Sequence, residues 1–192
     1  MRQTPYEPPR PYDNCFVYEP ISPPRVPKNA LTYRRKPGLK RLPEDLPVDE
    51  LTIIGCTNIE ELPCGLRAGR VTIQDCAALR RLGDRTEIGT LRIERCPKFE
   101  RLPDGLRCRE LVVCECPALT ALPARLEVGT LTARDSQIEI IPADIRVHTL
   151  DMSGARALKR VPPGFRAATL SIRRSPTLLR LPAEMHVKQA DL

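Results

Sequence analysis

Cys56, Cys76, Cys96 and Cys116 stand twenty residues apart. Thiols at a fixed spacing are what a soft metal or a set of disulfides would use. The equivalent positions further along are Ser136, Ala155 and Ser175. Alanine can neither ligate nor cross-link, so the series reads as an inward packing position. There a free thiol acts as a small hydrophobe and bonds the backbone of a turn. Cys114 precedes Cys116 by two residues on an alternating stretch and is expected to face solvent. No cysteine set has the paired spacing of a zinc site. His148 and His186 occupy different repeat positions, with no carboxylate at a constant offset. No Ser-His-Asp or Cys-His arrangement is legible, and no glycine-rich loop joins a strand to a helix. The sequence therefore points to no catalytic residue, no metal site and no cofactor.

The elements that hold these cysteines repeat as well. A pattern Leu-Pro-x-x-apolar-x-x-x-x-Leu-x-apolar-x-x-Cys-x-x-Leu starts at Leu42, Leu62, Leu82, Leu102, Leu122, Ile141, Val161 and Leu181, with one copy a residue short around Ser136 and Ile138. Such a period means a solenoid, whose coils bury apolar residues only against their neighbours. Leu51-Thr52-Ile53, Val71-Thr72-Ile73, Leu91-Arg92-Ile93, Leu111-Val112-Val113, Leu131-Thr132-Ala133, Leu150-Asp151-Met152 and Leu170-Ser171-Ile172 alternate as strands with one buried face. The Leu-Pro pair opens a return leg too short and too rich in proline for an α-helix, leaving extended or 3-10 structure. The expected fold is an α/β-type solenoid, mostly β, with a short-stranded parallel sheet on its concave face. Residues 22–41 read as a degenerate first repeat, with Pro23, Val26, Leu31, Tyr33 and Leu39 at the repeat positions. Residues 42–180 are regular repeats and 181–192 a partial last one. Residues 1–21 form a proline-rich arm or cap in which Cys15 to Tyr18 could pair as an edge strand, since proline removes donors and fixes φ.

On these residues the chain resembles the leucine-rich repeat over roughly 22–192. The twenty-residue length and the Leu-Pro pair are similar to the short repeats of bacterial type III secreted effectors, some of which carry a ubiquitin-ligase domain. Those repeats usually have Asn where this chain has Cys56, Cys76, Cys96 and Cys116. The resemblance implies a horseshoe that binds protein, and a secreted effector or the substrate-recognition part of a ligase whose catalytic domain is not in this sequence.

Charge and composition narrow the partners. The net charge is +7, but the first 41 residues carry nine basic and three acidic side chains, while the rest hold 22 and 21. A nearly balanced solenoid lacks the clustered excess that a phosphate track needs, which argues against nucleic acid. Residues 42–61 hold six carboxylates and no basic residue, and 141–192 hold nine basic against four acidic, so the ends should differ in sign. The segment from Arg34 to Arg41 has five basic residues in eight and reads either as a targeting signal or as a counterweight to the acidic repeat. No stretch is long and apolar enough to span a membrane, and no apolar run follows Arg2 as a secretory signal. The expected setting is a reducing cytosol, with delivery into a host cell left open by routes that cleave no signal.

Residues that alternate with the buried ones line the open face of the sheet. The candidate partner-binding set is Arg70, Thr72, Gln74, Arg92, Glu94, Arg95, Val112, Glu115, Thr132, Arg134, Asp135, Asp151, Ser171, Arg173 and Arg174. Within it Arg92, Arg95, Arg134, Arg173 and Arg174 form an arginine strip flanked by Glu94, Glu115 and Asp135. Arginine suits such contacts through its planar fork and large area. The expectation is a non-catalytic module that binds another protein. The alternatives are the ligase recognition part and a self-assembling repeat protein joined through its uncapped C-terminal coil.

Overall fold

Alternation puts every second side chain of a strand on one face, and this chain alternates once per repeat. The computed structural model describes residues 29–192 apart from 45, 47 and 179. Within them β1 (Ala30–Arg34), β2 (Glu50–Ile54), β3 (Arg67–Gln74), β4 (Glu87–Glu94), β5 (Arg107–Cys114), β6 (Glu127–Thr132), β7 (Arg146–Asp151), β8 (Arg166–Ser171) and β9 (His186–Asp191) form one sheet in chain order. Every neighbouring pair is parallel. Leu51 meets Val71 and Leu91 meets Leu111, one repeat apart, whereas Leu131 meets Leu150 across the shortened coil. The proline-rich arm, Cys15 to Tyr18, Pro23 and Val26 lie outside the described residues. Leu31, Tyr33 and Leu39 pack half-buried against the core.

The described residues contain no α- or 3-10 helix. Of the two return-leg conformations left open by the sequence, the chain takes the extended one, so the solenoid is all β. Isolated parallel bridges link Glu61 to Arg81 to Arg101, and Ala121 to Ile140 to Arg160. Between sheet and return legs, columns of aliphatic side chains stack coil upon coil. Leu51, Ile53, Ile59, Leu62, Leu91, Ile93, Leu111 and Leu119 are wholly buried, as is Phe99.

The strands begin earlier than the alternation predicts. In β3, β4 and β5 pairing starts at Arg67, Glu87 and Arg107, adding a further inward column of Ala68, Ile88, Cys108, Val128 and Val147. The chain kinks after this column. A Cβ at Gly89 would lie 2.6 Å from the Gly69 carbonyl oxygen, so these coils approach more closely there than a side chain allows.

Each coil leaves the sheet through a left-handed residue. Arg35, Asp75, Arg95, Glu115, Asp135 and Arg174 have φ between 47° and 55°, and Gly55 and Gly154 take the same place. A non-glycine residue is strained there, yet six of these eight positions hold a charged side chain. Its backbone N–H serves the next coil: Asp75 N–H donates to Glu94 O at 3.2 Å and Arg95 N–H to Cys114 O at 3.1 Å.

Charge alternates between coils at the start of the strands. Arg67, Glu87, Arg107, Glu127 and Arg146 stack in one column, with ion pairs Arg67–Glu87 at 3.5 Å, Arg107–Glu127 at 3.0 Å and Arg146–Glu127 at 3.6 Å. Exposed pairs add little stability each, but a slip by one coil would set like charges opposite one another, which disfavours the wrong register.

One position of the leucine column that opens each strand is mismatched. Thr86 replaces the leucine found at Leu66, Leu106 and Leu126, and its hydroxyl is buried without a partner. Thr86→Val keeps the shape and removes the orphan, so it should raise stability by about 1 kcal/mol. A thermal melt showing no increase would contradict this.

Candidate functional site

One face of the sheet packs on the core, and no other described strand covers the opposite face. All the residues singled out from the sequence lie on that outward face or in the turns that follow its strands. Arg70, Thr72 and Gln74 are on β3, Arg92 and Glu94 on β4, Val112 on β5, Thr132 on β6, Asp151 on β7 and Ser171 on β8. Arg95, Glu115, Arg134, Asp135, Arg173 and Arg174 follow the strands. Parallel register sets Thr72 beside Arg92, Arg92 beside Val112, Val112 beside Thr132, Thr132 beside Asp151 and Asp151 beside Ser171.

Most of the arginines expected to meet a partner are already engaged within the chain. The Arg92 guanidinium donates to Glu94 at 2.8 Å, and Gln74 donates to the other Glu94 oxygen at 2.8 Å. Arg95 makes a two-pronged contact with Asp75, at 2.7 and 3.1 Å. Arg134 donates to Asp151 at 2.6 Å, and Arg173 pairs with Asp191. Asp75 and Asp191, missing from the candidate set, pair with Arg95 and Arg173, and in register they fall one repeat from Arg95 and Ser171. The 20-residue period already places Asp75 on this row, and carried one coil further it would have located Asp191. Among the described residues Arg70, Arg174, Glu110, Glu115 and Asp135 have no ion pair.

Asp151 anchors another enclosed network. Its side chain is 16% exposed, and it accepts bonds from the Ser153 backbone N–H at 3.0 Å and hydroxyl at 2.7 Å as well as from Arg134. Ser153 and Ser171 hydroxyls lie 3.0 Å apart. Burial pushes the Asp151 carboxyl up, but the Ser153 bonds and the Arg134 bond and charge outweigh it and hold the group below the usual carboxylate range. The contact with Arg95 lowers the Asp75 carboxyl likewise.

The cysteine column is structural in its geometry. Cys56, Cys76, Cys96 and Cys116 are buried. Each thiol points to the carbonyl two residues earlier, from Cys76 to Gln74 at 3.3 Å, from Cys96 to Glu94 at 3.4 Å and from Cys116 to Cys114 at 3.4 Å. Cys56, Cys76 and Cys116 also reach carbonyls of the preceding coil, Tyr33, Ile53 and Ile93. The Cys96 contact and burial push the Cys76 thiol up, the neighbouring Cys116 thiol helps to push Cys96 up to about 12, and burial pushes Cys108 up to about 12. Protonated thiols of this kind are poor nucleophiles, whereas the contact with Cys96 lowers the Cys116 thiol. Cys114, expected on the solvent side, is half-buried on the outward face. Among the described residues no group of three or more His, Cys, Asp and Glu side chains is placed to hold a metal ion.

His148 and His186 are exposed at the starts of β7 and β9, on separate coils. The segment from Arg34 to Arg41 is largely exposed, and among the described residues no ion pair joins it to the acidic repeat. A second charged surface lies on the return legs, where Glu60, Glu61, Arg80, Arg81, Glu100 and Arg101 line a hollow of about 410 Å³. It too is internally paired, through Arg81–Glu61 at 2.9 Å and Arg80–Glu100 at 3.3 Å. No helix among the described residues is long and apolar enough to cross a membrane.

No family model matches this chain, and no curated protein or solved structure matches it.

Proposed function

We propose that this chain is a non-catalytic binding protein that holds another protein on the outward face of its sheet. The observation that supports this reading is the face itself: outward side chains from successive coils stand in register, and no described strand packs over them. Solenoids commonly use such extended surfaces for binding. Leucine-rich repeat membership, and delivery into a host cell in the manner of bacterial type III effectors, belong to the same proposal and rest on the Leu-Pro motif.

The test compares wild type with a chain carrying Val112→Arg and Thr132→Arg, which plants bulk at the centre of the face, and with Arg101→Glu on the return leg. Each is used for affinity capture from candidate host and bacterial lysates, followed by quantitative mass spectrometry. The expected result is a set of proteins retained by wild type and Arg101→Glu and lost from the double variant. Equal retention by the double variant would move the site off the sheet.

Self-association is a second reading with its own observation. Leu192 is 64% exposed, and it borders a hollow with Ile172, Leu178 and Leu181 beside β9. Strand edges of this kind invite pairing. A light-scattering mass that rises with concentration supports it, and a constant monomer mass contradicts it.

A further inference from the structure

The distribution of engaged and open charges on the outward face specifies what kind of segment it accepts. Beyond the kink in β5 the outward positions are Glu110, Val112, Cys114 and Glu115; the strand's cations precede them, Arg107 paired with Glu127 and Arg109 half-buried beside Gly89. Asp135 follows Glu115 one coil later at the same left-handed turn position. These three carboxylates have no ion pair among the described residues, whereas Glu94, Asp75, Asp151 and Asp191 are each held by an arginine. Around this centre the six carboxylates Asp75, Glu94, Glu110, Glu115, Asp135 and Asp151 face the four arginines Arg92, Arg95, Arg109 and Arg134, three of which are taken by Glu94, Asp75 and Asp151, so the centre of the face keeps a net negative charge.

The same centre has an apolar floor. Val112 lies between Arg92 and Thr132 in register and is 8% exposed, and Cys114 beside it is half-buried. An apolar centre with charge at its margin is the arrangement of protein interfaces in general. Glu110 and Glu115 sit at opposite ends of the β5 row, about 17 Å apart at strand rise, and Asp135 is about 5 Å from Glu115 across the coils.

We propose that the outward face docks a basic segment of another protein over β5 and β6, with lysine or arginine side chains on Glu110, Glu115 and Asp135 and an apolar side chain between them on Val112 and Cys114. The inference rests on the outward-face reading and adds the partner's chemistry to it. A segment running along β5 would place its cations some four to six residues apart with the apolar residue midway, since extended chain advances about 3.3 Å per residue. Arg173 and Arg174 lie beyond this centre, so a uniformly basic surface spread across the whole sheet would meet repulsion at β8. An acidic macromolecule would meet the open carboxylates at the centre. The arginine strip expected from the sequence therefore acts chiefly to set the local sign, by neutralising Asp75, Glu94, Asp151 and Asp191.

A display library of short random peptides, selected separately on three forms of the full chain, tests this. The forms are wild type, the charge-removed variant Glu110→Gln with Glu115→Gln and Asp135→Asn, and the face-blocked variant Val112→Arg with Thr132→Arg. A melting curve for each establishes that it is folded. The expected result is that wild type enriches peptides with two or more Lys or Arg flanking an apolar residue. Those peptides should bind the charge-removed variant about tenfold or more weakly, lose affinity as salt rises, and fail to bind the face-blocked variant. Enrichment of acidic or neutral peptides that the face-blocked variant loses would overturn the inference while leaving the outward-face reading standing. Peptides that bind all three forms equally, or no enrichment over the support, would count against both.

Discussion

Phe99→Ala should destabilise the chain by about 3–5 kcal/mol. Phe99 is the largest of the wholly buried side chains, and its column otherwise holds Ile59, Leu79, Leu119, Ile138 and Leu158. Truncation opens a cavity between coils that are tied together on both sides, by the β4–β5 ladder at the sheet and by the Glu100 N–H to Arg80 O bond of 2.8 Å on the return leg. Neither side can move inward alone, so the void stays open and the full cavity cost is expected. Phe99→Leu restores the side chain that the same column uses elsewhere and should cost less than about 1.5 kcal/mol. Denaturant midpoints distinguish the two, and an alanine variant within about 1 kcal/mol of wild type would contradict the tight stacking described here. Because coils are stabilised only by neighbours, the alanine variant should also broaden the transition as the halves on either side of Phe99 unfold less in step.

Asp151→Ala is the outward-face change with the largest expected cost, about 2–3 kcal/mol, because it removes an ionised acceptor from two Ser153 donors and Arg134 at once. The pH dependence gives it a signature. The carboxyl is held below its unfolded value, so the unfolded chain binds the proton more readily. The stability it adds is full above the unfolded value of about 3.9 and is lost as pH falls through the lower folded value. The gap between wild type and Asp151→Ala should therefore be constant near neutrality and shrink in that acid window. Thermal melts across pH 2–7 provide the check, and a gap that widens on acidification would assign Asp151 a different role.

The inward half of this architecture was legible because burial repeats with the chain. The Leu51-Thr52-Ile53 alternation, the position of Cys56 and the one-residue deficit between Ser136 and Ile138 each translate into a fixed direction or register. The early part of each strand was not legible. Ala68 and Val71 both point inward, but the Gly69-Arg70 pair between them breaks the period of two, so the column from Ala68 to Val147 looked like loop. On the outward face the sequence identified which residues share the surface and left open which of them are neutralised. That depends on contacts between coils, such as Arg95 with Asp75 and Arg134 with Asp151, which link residues 20 and 17 positions apart. The alternation of Arg67, Glu87, Arg107 and Glu127 follows the repeat, whereas in the turn column the repeat sets Arg95 between Asp75 and Glu115, and only the folded contacts show that it holds Asp75.

The consequence for binding is a change of sign. An arginine strip would favour an acidic partner, whereas a strip whose arginines are engaged leaves carboxylates to do the recognising. Exposed ion pairs contribute little to folding, so these networks can be retained for the potential they create without a large effect on stability. Retention of charged side chains at the left-handed turn positions is consistent with that, since Gly55 and Gly154 occupy the same backbone conformation.

The most direct measurement is amide chemical-shift mapping of the isotopically labelled chain titrated with a peptide enriched on wild type. Binding on the outward face requires the largest shifts at Arg92, Glu110, Val112, Cys114, Glu115, Thr132 and Asp135, with the return-leg residues Glu61, Arg81, Arg101 and Ile140 unmoved. Shifts confined to those return-leg residues, with β4 to β6 unchanged, would contradict it.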